Sequence, residues 1–214
     1  MQTNRAPSRP VLVGRSSSHF TRIARIFATE TRVDYAFRPV LDIMSLDARD
    51  YSGNPALKLP VLETAEGTWF GALNICRELL RRSAAPRRIV WPEEFEQALL
   101  ANAQELVMHA MATEVSLIMS KMAGQGQGGP HAEKMARSLE NVLAWLDRNL
   151  SEVLEALPEE RDLSYLEASL YCLVTHLEFR EVVPTSQYPA LKSFSDRFGS
   201  RPSAADTAYR FDAG

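Results

Sequence analysis

Short apolar runs alternate with helical repeats along residues 11–80. The apolar run 11–13 and the apolar–polar alternation across 33–40 predict two strands. Between them, apolar residues recur at the spacing i, i+3, i+4 and i+7, namely Phe20, Ile23, Ala24 and Phe27. A helix with this spacing buries one face. The pattern therefore predicts a strand, a helix and a second strand.

The stretch 54–80 predicts the second half of this domain. Residues 59–62 form a strand-like run, but Pro60 cannot donate a ladder hydrogen bond. We therefore expect a strand start, a sheet edge or a cis Leu59–Pro60 bond. A turn at Glu66 and Gly67 leads into a partner strand at 68–70, and a helical repeat follows at 73–80. The whole order is β-α-β, a connection, then β-β-α.

A break at 83–92, with two prolines and two arginines, separates this domain from a purely helical region. The stretch 93–123 predicts one long helix, with apolar residues on two roughly opposite faces that must both be covered. A glycine-containing loop at 124–130 ends it, and a second long helix is expected at 131–157. A third apolar helix at 165–179 follows Ser164 and Glu167, which have the spacing of a capping box.

Composition excludes several classes of function. The chain has 214 residues, 45% hydrophobic and 24% charged, with a net charge of −3, so neither nucleic acid nor a membrane is an expected partner. Residues 1–10 are polar, and no secretory signal is expected. Cys76 and Cys172 lie far apart in apolar stretches, which indicates buried free thiols and a cytoplasmic location. The four scattered histidines have no metal-ligand spacing, so no metal is expected.

Three stretches resemble the glutathione S-transferase superfamily. They are the block 54–62 around Leu59 and Pro60, the capping box before the helix at 165–179, and the stretch 188–203. The resemblance implies an α/β plus all-α fold, with a thioredoxin-like domain at 10–83 and an all-helical domain at 93–205. It also implies a homodimer that uses glutathione as co-substrate and conjugates its thiolate to small hydrophobic electrophiles.

In this family a hydroxyl after the first strand stabilises the thiolate. The loop offers Ser16, Ser17 and Ser18. When 22–26 is aligned to the family's first helix, Ser18 takes the serine position, Ser17 is the alternative, and His19 stands where proline is common. Ser18 is equally expected to cap the first helix, and the two roles are compatible. The loop has no cysteine, which excludes thioredoxin-like disulfide exchange.

The resemblance also assigns residues that hold glutathione. The backbone of Leu59, before Pro60, would pair with the cysteinyl part, and Lys58 would meet the glycine carboxylate; an ordinary exposed strand lysine is the alternative. The family's acidic residue and serine, which bind the γ-glutamyl end, are Gly71 and Ala72 here. Such a charge-assisted contact stabilises by ~1.5–3 kcal/mol, so its loss weakens binding roughly ten- to hundredfold.

Methionines on the 93–123 helix suggest a place for the hydrophobic substrate. Met108 and Met111, with Met122, would line an apolar site at the domain junction. Interdomain or subunit packing is the alternative use of these side chains.

Two functions from different classes follow. One is a serine-type glutathione transferase, which Ser18, Lys58 and the Leu59–Pro60 pair favour. The other is a non-catalytic module of the same family that binds a protein partner or an apolar ligand, which Gly71 and Ala72 favour.

Overall fold

A computed structural model of the chain describes residues 9–122 and 129–213. Nearly all of the polar N-terminal stretch and most of the loop predicted at 124–130 lie outside these ranges. The chain forms two compact units: the first runs to Arg87 and takes up the chain again from Arg201, and the second spans Arg88–Ser200. The domain bounds predicted from sequence, 10–83 and 93–205, do not include this return to the first unit.

The first unit is built on a four-stranded sheet flanked by two main helices. Its elements are β1 Val11–Gly14, α1 His19–Glu30, β2 Ala36–Pro39, β3 Val61–Thr64, β4 Gly67–Phe70, α2 Ala72–Arg82 and, on return, α7 Pro202–Ala205. The strand order is β2-β1-β3-β4. Strand β1 is parallel to β2, which requires a crossover that α1 supplies, and β3 is antiparallel to both β1 and β4. The predicted thioredoxin-like domain is confirmed.

Strand β2 is shorter than the alternating stretch 33–40. The first residues of that stretch belong to the turn that ends α1 and not to the sheet. The Val33 N–H donates to the Ala28 carbonyl at 2.9 Å, which continues the turn that closes the helix. Pairing with the sheet begins only where the Ala36 N–H donates to Pro10 at 2.8 Å.

Where the structure describes it, the second unit is helical apart from one small pair of strands. Its helices are α3 Ala98–Met122, α4 Pro130–Ala156, α5 Tyr165–Arg180 and α6 Pro189–Gly199, and β5 Ile89–Val90 runs parallel to β6 Leu163–Ser164. Most of α5 is buried, as expected for a helix that is apolar around its circumference. The all-helical prediction is confirmed. Within residues 9–122 and 129–213, no helix is long and apolar enough to cross a membrane.

The N-terminal boundary predicted for the long helix at 93 was wrong. Pro92–Glu94 forms a separate 3-10 turn, and α3 begins at Ala98. The Glu94 carboxylate folds back to accept from the Trp91 N–H at 2.8 Å and pairs with Arg88 at 2.6 Å. These bonds hold the turn apart from the helix that follows.

The predicted capping box at α5 is confirmed. The Glu167 N–H donates to Ser164 Oγ at 3.0 Å, and the Ser164 N–H donates to Glu167 Oε2 at 3.1 Å. Arg161 donates to both oxygens of the same carboxylate, at 3.0 and 3.1 Å. The box therefore fixes the start of the most buried helix of the second unit.

Removal of this cap should destabilise the protein measurably. Ser164→Ala is expected to lower the free energy of unfolding by about 1–2 kcal/mol, because the Glu167 N–H loses its acceptor. The matched control is Ser151→Ala on α4. This site is exposed, so the free energy of unfolding should change by about 0.5 kcal/mol or less. Urea denaturation measures both values, and an equal loss in the two variants would contradict the role of the cap.

Candidate functional site

Three chain segments meet at one edge of the first unit's sheet. Strand β1 ends where β3 begins, since Val13 pairs with Val61, and β4 ends opposite the same residue, since Val61 pairs with Phe70. The Gly71 N–H also approaches the Pro60 carbonyl at 3.4 Å. The loop after β1, the residues before β3 and the start of α2 therefore share this edge, which we call the site edge.

A close approach of strand and helix brings the N-terminus of α1 to the site edge. A Cβ atom placed on Gly14 would lie 2.4 Å from Thr21 Cγ2 and 2.6 Å from Thr21 Oγ1. The Arg15 N–H donates to the same Thr21 hydroxyl at 3.3 Å. Only glycine leaves room for this contact. Gly14 was not predicted from the sequence to have this role, although a glycine between an apolar run and a polar loop is a usable signal.

Ser18 is the N-cap of α1. Its Oγ accepts a hydrogen bond from the Thr21 N–H at 3.3 Å, and its carbonyl accepts from the Arg22 N–H at 2.9 Å. A serine hydroxyl also has one proton to donate, so capping leaves Ser18 able to donate to a ligand. No acidic residue occupies the first turn of α1, and the positive end of the helix dipole therefore favours an anion here.

The two neighbouring serines are less accessible than Ser18. Ser16 is 1% exposed and Ser17 is 8% exposed, whereas Ser18 is half-buried. Ser16 donates its backbone N–H to Asp212 Oδ2 at 2.8 Å. Of the three hydroxyls in the loop, Ser18 is thus the one best placed to meet a ligand.

The segment before β3 contributes the next part of the site edge. The Leu59–Pro60 bond is cis, as expected, and Leu59 lies just outside the β1–β3 ladder. The buried Asn54 side chain shapes the turn before it, donating to the Lys58 carbonyl at 2.7 Å and accepting from the Ala56 N–H at 3.0 Å. The Lys58 side chain is exposed. This geometry suits strand-like pairing with an extended peptide ligand.

The start of α2 carries no side-chain cap. Gly71 is the N-cap residue, with φ 82° and ψ 142°, and Ala72 is buried. A Cβ on Gly71 would meet nothing within 4 Å, but the positive φ is one that side chains rarely adopt. The backbone N–H groups of the first turn are therefore the recognition groups that α2 offers a ligand.

The methionines proposed to line a substrate site differ in exposure. Met111 is 0% exposed, Met108 is half-buried and Met122 is 65% exposed. Between Met108 and Met111, only Met108 has exposed surface to offer a ligand.

The chain that returns from the second unit lies against α1 and was not foreseen. We call residues 201–213 the return segment. The buried Arg22 guanidinium donates to the Ala204 carbonyl at 3.1 Å and lies 4.3 Å from the centre of the Tyr209 ring. The bond from Ser16 to Asp212 joins residues 196 positions apart. No local sequence pattern signals a contact of that range.

Comparison with known proteins supports the resemblance stated from sequence. Residues 12–87 match the family model described as glutathione S-transferase, N-terminal domain. No curated protein matches the sequence.

Solved structures cover nearly the whole chain. A glutathione S-transferase from Methylobacillus flagellatus KT with GSH bound is 20% identical, with a TM-score of 0.74 over 94% of this chain and 100% of that one. One from Methylobacterium radiotolerans JCM 2831, in complex with glutathione sulfonate, is 21% identical, with a TM-score of 0.72 over 97% and 98%. A Tau class enzyme from mango is 20% identical, with a TM-score of 0.70 over 96% and 94%. The chain has the glutathione S-transferase fold, and its residues 12–87 match the N-terminal domain of that family, in agreement with the superfamily predicted from sequence.

Proposed function

We propose that the chain binds glutathione at the site edge and conjugates its thiolate to small hydrophobic electrophiles. The observation that carries the proposal is the position of Ser18, whose hydroxyl caps α1 at the edge that also holds the Leu59–Pro60 bond. Two of the similar structures, from Methylobacillus flagellatus and Methylobacterium radiotolerans, contain glutathione or glutathione sulfonate.

Ser18 would act on the sulfur. A free thiol has a pKa of about 8.5, so little of it is ionised at neutral pH. A hydroxyl that donates to the thiolate, at the positive end of a helix, favours the ionised form. The Ser18 hydroxyl lies at the N-terminus of α1, and its accepting role toward Thr21 leaves its proton free to donate to the sulfur.

The rest of the site edge would hold the tripeptide. The Leu59 backbone would pair with the cysteinyl part, and the exposed Lys58 would meet the glycine carboxylate. The γ-glutamyl carboxylate would find backbone N–H groups at Gly71 and Ala72 instead of a carboxylate and a hydroxyl. We expect weak binding of glutathione for that reason, and Met108 is the candidate contact for the electrophile.

The acidic residue and serine that bind the γ-glutamyl end in the family, which we call the clamp, are missing here and can be restored in part. Ala72→Ser adds a hydroxyl at the start of α2 and is expected to tighten glutathione roughly two- to tenfold, the value of one hydrogen bond. Gly71→Glu added to it should cost about 1–3 kcal/mol of unfolding free energy, because Gly71 has a positive φ.

Isothermal titration measures the affinity of each variant for glutathione, and urea denaturation measures its free energy of unfolding. Ala98→Ser is the matched control, since it places the same hydroxyl at the exposed start of α3. Equal affinities in Ala72→Ser and Ala98→Ser would contradict a contact between glutathione and α2.

The alternative function is a non-catalytic module that binds a protein partner or an apolar ligand. The loss of the clamp at Gly71 and Ala72 favours it. Binding of glutathione without turnover toward a generic aromatic electrophile would support the module. The homodimer, the cytoplasmic location and the absence of a metal remain predictions.

A further inference from the structure

The return segment is fastened to α1 by two buried arginines. Arg22 donates to Thr207 Oγ1 at 3.4 Å in addition to its bond with Ala204, and Arg25 donates to the Asp206 carbonyl at 3.5 Å. These contacts direct residues 207–213 along the helix toward its N-terminus.

The end of the return segment places a carboxylate on the loop that carries Ser18. Asp212 Oδ2 accepts from the Ser16 N–H at 2.8 Å, the length of a charge-assisted hydrogen bond. Ser16 lies two positions before the N-cap and is 1% exposed, so the accepting oxygen sits at an enclosed part of the loop. The side chains on either side of Asp212 are largely exposed to solvent: Phe211 is 63% exposed and Ala213 is also exposed.

A carboxylate in this position should weaken the binding of an anionic ligand near Ser18. The first turn of α1 has no acidic residue of its own, and the N-terminus of the helix attracts an anion. Asp212 places a negative charge on the loop two positions before the N-cap, so an anion at Ser18 meets repulsion that is weakly screened near buried groups.

We propose that Asp212 is an internal anion that competes with anionic ligands for the N-terminus of α1, so that the return segment controls their binding. The inference rests on the proposed function in one respect, because the ligand it would oppose there is the glutathione thiolate. Release of Asp212 from Ser16 would open the site to that anion.

Asp212→Asn tests the proposal, because asparagine keeps an oxygen that can accept from Ser16 while a neutral amide replaces the charged carboxylate. Asp206→Asn is the matched control, an exposed aspartate of the same segment. The probe is inorganic sulfate, followed by the amide resonances of the loop 15–18 at low ionic strength. Asp212→Asn should bind sulfate at least about threefold more tightly than the wild type and Asp206→Asn, and the gap should narrow at high salt. Equal binding in the three proteins, or none in any, would overturn the proposal.

Glutathione provides the second arm and separates this inference from the proposed function. Its affinity should also rise at least about threefold in Asp212→Asn and stay unchanged in Asp206→Asn. If glutathione binds none of the proteins while sulfate still distinguishes Asp212→Asn, the proposed function fails and the internal anion stands. If glutathione binds all three equally, the competition at Ser18 is refuted.

Discussion

Ser18→Ala is expected to lower the turnover of glutathione conjugation by about 10²-fold, the usual loss for one donor to a developing anion. The Michaelis constant for glutathione should change by no more than about threefold, because the hydroxyl acts on the sulfur and the rest of the tripeptide is held elsewhere. Steady-state kinetics with a generic aromatic electrophile measures both quantities.

Ser18 has a second role, and the controls must separate the two. Its Oγ caps α1, so Ser18→Ala should also cost about 1 kcal/mol of unfolding free energy. Ser18→Gly keeps most of the cap stability but lacks the hydroxyl, and it should lose turnover to the same extent. Ser17→Ala removes the neighbouring hydroxyl and should retain wild-type turnover. A larger loss in Ser17→Ala than in Ser18→Ala would move the thiolate role to Ser17.

His176→Ala is expected to lower the free energy of unfolding by about 3–5 kcal/mol. Glu114 on α3 is fully buried, and its Oε1 lies 2.7 Å from His176 Nδ1 on α5. Burial raises the pKa of the Glu114 carboxyl, and the hydrogen bond from His176 acts in the opposite direction. The variant would leave this carboxyl in the protein interior without its partner.

Removal of both partners should lower the free energy of unfolding by less than the sum of the two single changes.

Glu114→Gln also tests the sign of the pH dependence of stability. An acid with a raised folded pKa binds more protons when folded, so the stability of the wild type should fall relative to Glu114→Gln as pH rises above about 4.5. Chemical denaturation across that range measures the difference. Additive losses, or a difference that does not depend on pH, would contradict the account of this pair.

Local patterns were enough to predict much of the fold. The helical repeat at 20–27, the Leu59–Pro60 bond and the capping box at Ser164 each depend on residues a few positions apart, and the structure confirms all three. The start of α3 was predicted wrongly because the apolar pattern does not register the Glu94 side chain, which folds back onto Trp91.

Other parts of the site depend on contacts that no local pattern encodes. Glu114 and His176 are 62 positions apart, and Ser16 and Asp212 are 196 positions apart. The backbone angles of Gly71 also follow from its place between β4 and α2 rather than from its neighbours in sequence. The sequence therefore indicated Ser18, but it did not indicate that the Asp212 carboxylate lies on the same loop.

The central claim is that the site edge favours the thiolate of bound glutathione. Its most direct test is the ultraviolet absorbance of the thiolate, titrated against pH in the wild type and in Ser18→Ala with glutathione bound. In the wild type the thiol should ionise well below the value of about 8.5 for a free thiol, and in Ser18→Ala its midpoint should return toward that value. A midpoint in the wild type equal to that of glutathione in solution would contradict the claim.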